Sequence, residues 1–360
     1  MAYHERVGNL HLHTTASDGT IAADELARLA AEAGLDWILI TDHNAYEPQH
    51  QAWHGRTLVL VGEELHNPLR PHVNHLLALG VGEDLLPYVG DPQTLVDAAR
   101  ARGGLTFLAH PYERSGALSG EPVINWADWQ VRGYTGIELW NYMSEFKSHM
   151  QGLPMALAAI LWPALAMRGP YRETLSRWDE LLAERPVVAV GGTDAHGTLY
   201  HLGPVRKRIL GYPHLLRALN THLLVEEPWS GEAARDAQLV YGALAAGQAF
   251  VGYDGLAPTH GFTFVAEQSG ETANMGGALT LRRRARLVAR APGRARLRLL
   301  LNGHCVAEAD SAELSFDARA PGVYRVEALR RYALRWRGWI YSNPIYLGPP
   351  AQAARGGDKR

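Results

Sequence analysis

Short apolar runs alternate with stretches of helical periodicity through about the first 250 residues. That alternation limits the chain to a mostly parallel sheet with helical crossovers, open or closed into a barrel. Residues 8–13 (GNLHLH), Trp37–Ile40, 58–61, 73–79, 105–109, 136–139 and 187–190 read as strands; Trp37–Ile40 is too short for a helix and so must be buried. Residues 21–33 are an amphipathic helix with Leu26, Leu29, Ala30 and Ala33 on one face, Thr20 in the N-cap position and Gly34 just past the end. Asp91-Pro92 opens a second helix that Gly103-Gly104 closes, and Ala233–Ala246 is a further one.

Two stretches depart from this rhythm. Residues 140–185 hold several Trp, Met and Leu and read as two helices around Pro163 and Gly169-Pro170, too long for a simple βα loop. They suit extra core helices, a lid or a dimer surface. From about residue 256 the pattern turns to period-2 strands with turn residues, Asn302-Gly303 being a strong hairpin signal. This reads as a small antiparallel β-sandwich ending near 345–347, followed by a polar, disordered tail.

Composition enters through histidine. The chain has 17, ten of them in the first 110 residues, but only one cysteine, Cys305. A single cysteine excludes a disulfide framework and a thiolate zinc site, and Cys305 itself reads as a packing residue. A net charge of −2 argues against a general polyanion binder. The N-terminal residues MAYHERVGN carry no apolar signal segment, and the longest apolar run, 153–167, is too short and too proline-rich to span a bilayer. A cytoplasmic protein without a membrane partner is expected.

The histidines matter by position. His11 and His13 are two apart on a strand, where side chains two apart share a face. Asp18 follows in a Ser-Asp-Gly turn. Asp42-His43-Asn44, Glu64, His110-Pro111, and Asp194 with His196 each come directly after a strand. In parallel α/β folds active sites form at such strand ends. Imidazole and carboxylate without thiolate suit Zn, Mn, Fe or Ni.

His11-Leu12-His13-Thr14 with Ser17-Asp18-Gly19, then Thr41-Asp42-His43-Asn44, Gly62-Glu63-Glu64, Ala109-His110-Pro111 and Gly192-Thr193-Asp194-Ala195-His196 resemble, in order, the PHP (polymerase and histidinol phosphatase) superfamily over residues 9–197. The stretches Gly322-Val323-Tyr324-Arg325-Val326-Glu327 and Ser342-Asn343-Pro344-Ile345-Tyr346 are similar to the appended β domain of the carbaryl-hydrolase-like branch of PHP metallohydrolases. The resemblance implies an α/β chain with a distorted, TIM-like (β/α)7 barrel, taken over residues 1–255, and a smaller C-terminal antiparallel β-sandwich over 256–348; the helical insertion at 140–185 departs from compact phosphatase members, and a tail over 349–360 follows the sandwich. It implies two or three divalent metal ions (Zn, Mn or Fe). Carried over, one takes His11, His13, Glu64 and Asp194; a second shares Glu64 and adds His75 and His110; a third takes Asp18, His43 and His196. His75 is chosen over His66 and His72 because it leads the HLLALG segment, and Glu64 over Glu63 from the family's Gly-x-Glu pattern.

The activity so implied is that of a metal-dependent hydrolase, a phosphoesterase using a metal-bridged hydroxide on a small phosphorylated metabolite or nucleotide. Asp194 is the candidate for taking the water's proton, and His196 or His43 for serving a leaving group, although a metal-bound imidazole donates protons poorly. Arg114, Trp140 and Asn141 are candidate substrate residues, with Arg206, Lys207 and Arg208 as further cations; each of the cations also reads as solvated surface, and Trp140 equally as core. The competing readings are a carboxylic ester or carbamate hydrolase, from the C-terminal similarity, and a nucleic-acid-binding or nuclease PHP protein, from the eight arginines in residues 281–299. Alternation of arginine with apolar residues over 295–299 places those arginines on a strand's solvent face and disfavours nucleic acid. A metal-binding regulatory domain without catalysis is opposed by the complete ligand set. A homo-oligomer is left open.

Overall fold

Seven strands close a ring. β1 (His4–Leu12), β2 (Trp37–Ile40), β3 (Thr57–Leu65), β4 (Leu76–Leu79), β5 (Leu105–Leu108), β6 (Gly136–Asn141) and β7 (Val188–Ala195) pair in that order, and β7 pairs back onto β1. This computed structural model describes residues 3–118, 120–202, 205–208 and 210–348, with 199–202 and 205–208 as backbone alone. The tail at 349–360 and the side chains of His201, Arg206, Lys207 and Arg208 lie outside the described residues.

The closed barrel is the one the motifs lead to, but it is not a regular (β/α)7. β4 runs antiparallel to both neighbours while the other five pairs are parallel. Among the described residues, α-helix fills only the crossovers after β1, β4 and β6: α1 (Ala23–Ala33), α2 (Pro92–Ala101), and the insertion segments α3 (Tyr142–Ser148), α4 (Leu153–Leu161), Pro163–Ala166 and α5 (Arg172–Glu184). The insertion therefore holds four helical segments where two were expected. Phe146 and Trp178 bury α3 and α5, whereas α4 and its continuation expose Leu153, Leu157, Leu161 and Trp162. α1 ends as expected, with Gly34 left-handed at φ 85 and its N–H bonded to the last turn. Its start differs: Ala22 is the cap residue, and the Thr20 hydroxyl bonds instead to the main-chain oxygens of His196 and Gly197. Asp91 caps α2 by accepting from the Thr94 N–H.

Alternation along the strands divides two cores. Leu10, Leu39, Leu60, Leu77, Phe107 and Val190 form one cluster. Ile38, Ile40, Val59 and Ala78 join Leu26 and Ala30 of α1 and Val96 and Ala99 of α2 in the other. Past β7, β8 (Leu219–Val225) pairs antiparallel with the N-terminal part of β1, α6 (Ala233–Ala246) follows, and β9 (Ala249–Tyr253) pairs with β8.

Beyond residue 256 the longer strands are β10 (Thr263–Gln268), β11 (Glu271–Asn274), β12 (Ala285–Leu301), β13 (His304–Ala318), β14 (Gly322–Tyr332), β15 (Arg335–Ser342) and β16 (Ile345–Leu347). They pair antiparallel apart from Ala278–Leu279, which runs parallel to β16. β12 shifts register between Arg290 and Ala295, so its first part meets β10 and its second β14, with β13 along both. Phe264, Leu287, Leu297, Val326 and Trp339 share one core between them. β15 pairs with β9, which makes the pairing continuous with the barrel. Arg286, Arg290 and Arg294 are exposed and alternate with buried residues. Arg282, Arg284, Arg290, Arg296 and Arg298 each meet a carboxylate, so five of the eight arginines of 281–299 are paired. Cys305 is exposed on β13, against its expected packing role. Among the described residues no helix is long and apolar enough to cross a membrane.

Candidate metal centre

Every proposed ligand but one sits at the C-terminal end of a barrel strand or in the loop just beyond it; His75 immediately precedes β4, whose antiparallel direction turns its start toward the same end of the barrel. On β1 a simple alternation would put His11 on the side opposite Leu10. Instead the pairing slips between Leu10 and Leu12, and His11 occupies the bulge at φ 68. Leu10 then faces the barrel cluster, Leu12 faces the helices, and His11 and His13 both turn inward with rings 5.3 Å apart. His110 (φ 27) and Asp194 (φ 55) share this backbone, as do Asn44 and Asn74 beside His43 and His75. Such conformations cost about 1–3 kcal/mol each and persist where surrounding structure enforces them, commonly at functional sites.

Glu64 is the hub. Along β3, Leu58, Leu60, Gly62 and Glu64 share one face, and Glu64 is fully buried. Its Oε1 is 2.7 Å from His75 Nδ1 and 2.9 Å from His110 Nε2. Its Oε2 is 2.9 Å from His11 Nε2 and 3.2 Å from both His13 Nε2 and His43 Nδ1. Glu63 faces the other way and accepts the Leu85 N–H. Asp194 Oδ1 lies 3.4 Å from His11, 3.3 Å from His13 and 3.4 Å from His196. Asp18 Oδ1 is 3.2 Å from His196 Nε2, and its Oδ2 is 3.8 Å from His43 Nε2. The donor atoms gather into His11, His13, Glu64 and Asp194; Glu64, His75 and His110; and Asp18, His43 and His196 with His13, each set within 4.8 Å. His43, His66 and His75 form a further such set, and His66 stacks on His75 at 4.5 Å. His66 was the residue set aside in favour of His75.

The ring nitrogens fit cations. His75 Nε2 donates to the Pro71 carbonyl at 2.9 Å, and His196 Nδ1 donates to the Asp194 carbonyl at 2.9 Å. A neutral ring tied this way turns a lone pair toward a carboxylate, a repulsive contact that a second proton or an intervening cation removes. His13 Nδ1 and Nε2, His43 Nδ1 and His110 Nδ1 are buried without a hydrogen-bond partner, which a native interior seldom tolerates unless another ligand is meant to be there. Burial opposes charge on Glu64 and Asp194, but the surrounding imidazoles outweigh it and hold both well below the carboxylate range. Burial pushes His43 down to about 3.

Several supporting residues had no role assigned from sequence. Glu138 Oε1 faces His11 Nδ1 at 3.0 Å, while its Oε2 accepts the His110 N–H and the Asn141 amide. Asp42 accepts the Thr14 N–H and hydroxyl, both at 2.7 Å, pinning the loop that carries His13 and Asp18. The Tyr212 hydroxyl bonds the main-chain oxygens of His13 and His196. A lone charge inside the apolar strand 136–139 was the available signal for Glu138; nothing local marked Tyr212.

None of the three substrate candidates lines the cavity above this centre. Arg114 is exposed, clamped on Glu173 and lying over Tyr171. Trp140 is core, its indole N–H donating to Glu145. Asn141 caps α3 and holds Glu138. The cavity above the ligands is lined instead by Lys147, Met143, Ile124 and Pro122. His222 lies on β8 opposite Val7, toward the other end of β1.

No described protein family and no curated protein matches the sequence. Among solved structures, the chain is similar to a two-domain protein from Bacteroides vulgatus containing a predicted PHP-like metal-dependent phosphoesterase, at 16% identity over 95% of each chain with a TM-score of 0.43. It is similar to a protein from Bifidobacterium adolescentis provisionally described as a metal-dependent phosphoesterase, at 15% identity over 56% of this chain and 92% of that one, TM-score 0.33. It is also similar to an amidohydrolase from Chromobacterium violaceum, at 16% identity over 52% of this chain and 87% of that one, TM-score 0.31.

Proposed function

We propose that the chain is a PHP-type metal-dependent hydrolase, a phosphoesterase acting on a small phosphorylated molecule. The observation that carries this is the Glu64 carboxylate, fully buried with five imidazoles around its two oxygens. His11, His13, Glu64 and Asp194 would hold one divalent ion, Glu64, His75 and His110 a second, and Asp18, His43 and His196 a third. Ions so held lower the pKa of water and draw charge from the electrophile.

The chain's own residues do the rest. Glu138 fixes the His11 ring, so that Nε2 is the nitrogen turned to Glu64. Asp194 lines the cavity and is the residue proposed to accept the attacking water's proton. His196 gives its Nδ1 hydrogen to the Asp194 carbonyl, which leaves Nε2 as an acceptor. It is thus proposed as a ligand, not as the acid for the leaving group.

The test is metal analysis of purified protein followed by rates on aryl phosphate, aryl ester and aryl carbamate, with and without chelator. Bound Zn, Mn or Fe and chelator-sensitive phosphate release are expected. Full activity in metal-free protein would sink the proposal. Turnover of carbamate with none of phosphate would select the ester or carbamate reading, which the apolar wall of Pro122, Ile124 and Met143 also suits.

A further inference from the structure

The ligand cluster opens into a cavity of about 330 Å³. The wall completing it comes from α3 and the 121–124 segment, through Met143, Lys147, Pro122 and Ile124. Among the described residues Lys147 is its only Lys or Arg. The side chain is nearly buried, with Nζ 3.0 Å from Glu113 Oε1 and 3.1 Å from Glu121 Oε2. Glu113 is also held from elsewhere: its Oε1 accepts the Ser144 hydroxyl at 2.6 Å and its Oε2 the Ile124 N–H at 2.8 Å. That network joins the loop to α3 and fixes where the ammonium stands.

An ammonium has three N–H donors. Two have carboxylate partners, which leaves the third for the cavity. A buried cation is expensive compared with an apolar side chain of the same length, and Met143, one turn earlier on the same helix, shows that an apolar residue suits this wall. Burial works against the charge, but Glu113, Asp194 and Glu121 outweigh it, so Lys147 stays protonated.

We propose that Lys147 binds the substrate's oxyanion, its third N–H taking a non-bridging phosphoryl oxygen while the other oxygens face the Glu64 cluster. The role of this anion as the reacting group rests on the hydrolase reading above; its binding does not. The insertion thus supplies the substrate-binding cation that Arg114 was expected to be.

The experiment is calorimetric titration of inorganic phosphate into metal-loaded protein, comparing wild type with Lys147→Met and Lys147→Arg, with metal content and melting temperature measured on each. Lys147→Met removes the cation facing Glu113, so the double variant Lys147→Met/Glu113→Gln is measured beside it; one folded member of the pair suffices. We expect phosphate affinity to fall about tenfold or more in the Met variant with metal content unchanged, and to stay within about threefold in the Arg variant. KM for aryl phosphate should rise by the same factor as phosphate affinity falls. Equal phosphate affinity in wild type and the folded Met variant overturns the proposal, as does a metal-loaded wild type that binds no phosphate. An Arg variant as weak as the Met one overturns the role of the charge. Lysine-dependent phosphate binding without any phosphoester turnover would keep this inference and sink the phosphoesterase reading; turnover with unchanged phosphate affinity would do the reverse.

Discussion

Glu138 shows how much one residue can organise. It faces His11, takes the His110 N–H and is itself steadied by Asn141. Glu138→Gln keeps the shape and removes the charge that orients His11. Metal affinity should fall about 10–100-fold, read by competition with a chromophoric chelator; unchanged affinity would remove Glu138 from the centre. Gly192 works by absence. A Cβ there would collide with Glu138 Oε1 and lie 2.8 Å from the His11 Cβ. Gly192→Ala should cost about 1–3 kcal/mol and lower metal content, both measurable on purified protein. The choice of Glu64 over Glu63 came from the Gly-x-Glu pattern of the resemblance and not from strand parity, since Leu58 and Leu60 on one face and Val59 and Val61 on the other are equally apolar. The place of Arg114 was not legible at this scale, because its distance from the cavity depends on the path of the loop after His110.

Among the elements, β1 kept the outcome of its sequence pattern but not the reason. Two histidines two apart do converge, yet through a bulge at His11 and not through regular alternation. The hairpin between β12 and β13 followed its signal directly. Leu301 pairs with His304, and Asn302 (φ 48) and Gly303 (φ 80) supply the two left-handed positions that a two-residue turn of this hand demands. Gly303→Ala would strain that φ and approach Asp179 at 3.0 Å. A loss of about 1 kcal/mol in stability is expected, seen as a lower denaturant midpoint with metal content intact. A simultaneous loss of metal would show that this turn and the centre are coupled.

Across the whole molecule, a second charged knot fastens the opposite end of β1. His222 Nδ1 meets Glu5 at 2.7 Å, and its Nε2 meets Asp254 at 3.1 Å and Thr259 at 2.8 Å. Burial disfavours the imidazolium, but Asp254 and Glu5 outweigh it and raise His222 to about 9. A folded value above the unfolded one, about 6.5, stabilises the fold fully below pH 6.5, and that contribution is lost as pH rises through about 9. The amount is at most about 3 kcal/mol. His222→Gln should therefore be less stable than wild type near neutrality and converge with it by about pH 9. Melting curves of both proteins across pH would test this, and a constant difference would refute it.

The sequence by itself determined the short buried strands, the polar residues at their ends and the turn at 302–303, because alternation, strand length and turn conformation are local properties. It also carried most of the proposed ligands, since His11, His13, His43, Glu64, His110, Asp194 and His196 lie at a strand's C-terminal end or within a few positions of it; His75 instead precedes β4. Only the tertiary structure decided how they meet. Closing seven strands brings Glu64 to His11 across 53 positions and Glu138 to His11 across 127, distances over which no local pattern speaks. It likewise decided that Lys147 lines the cavity, because that depends on how the insertion folds back onto the barrel.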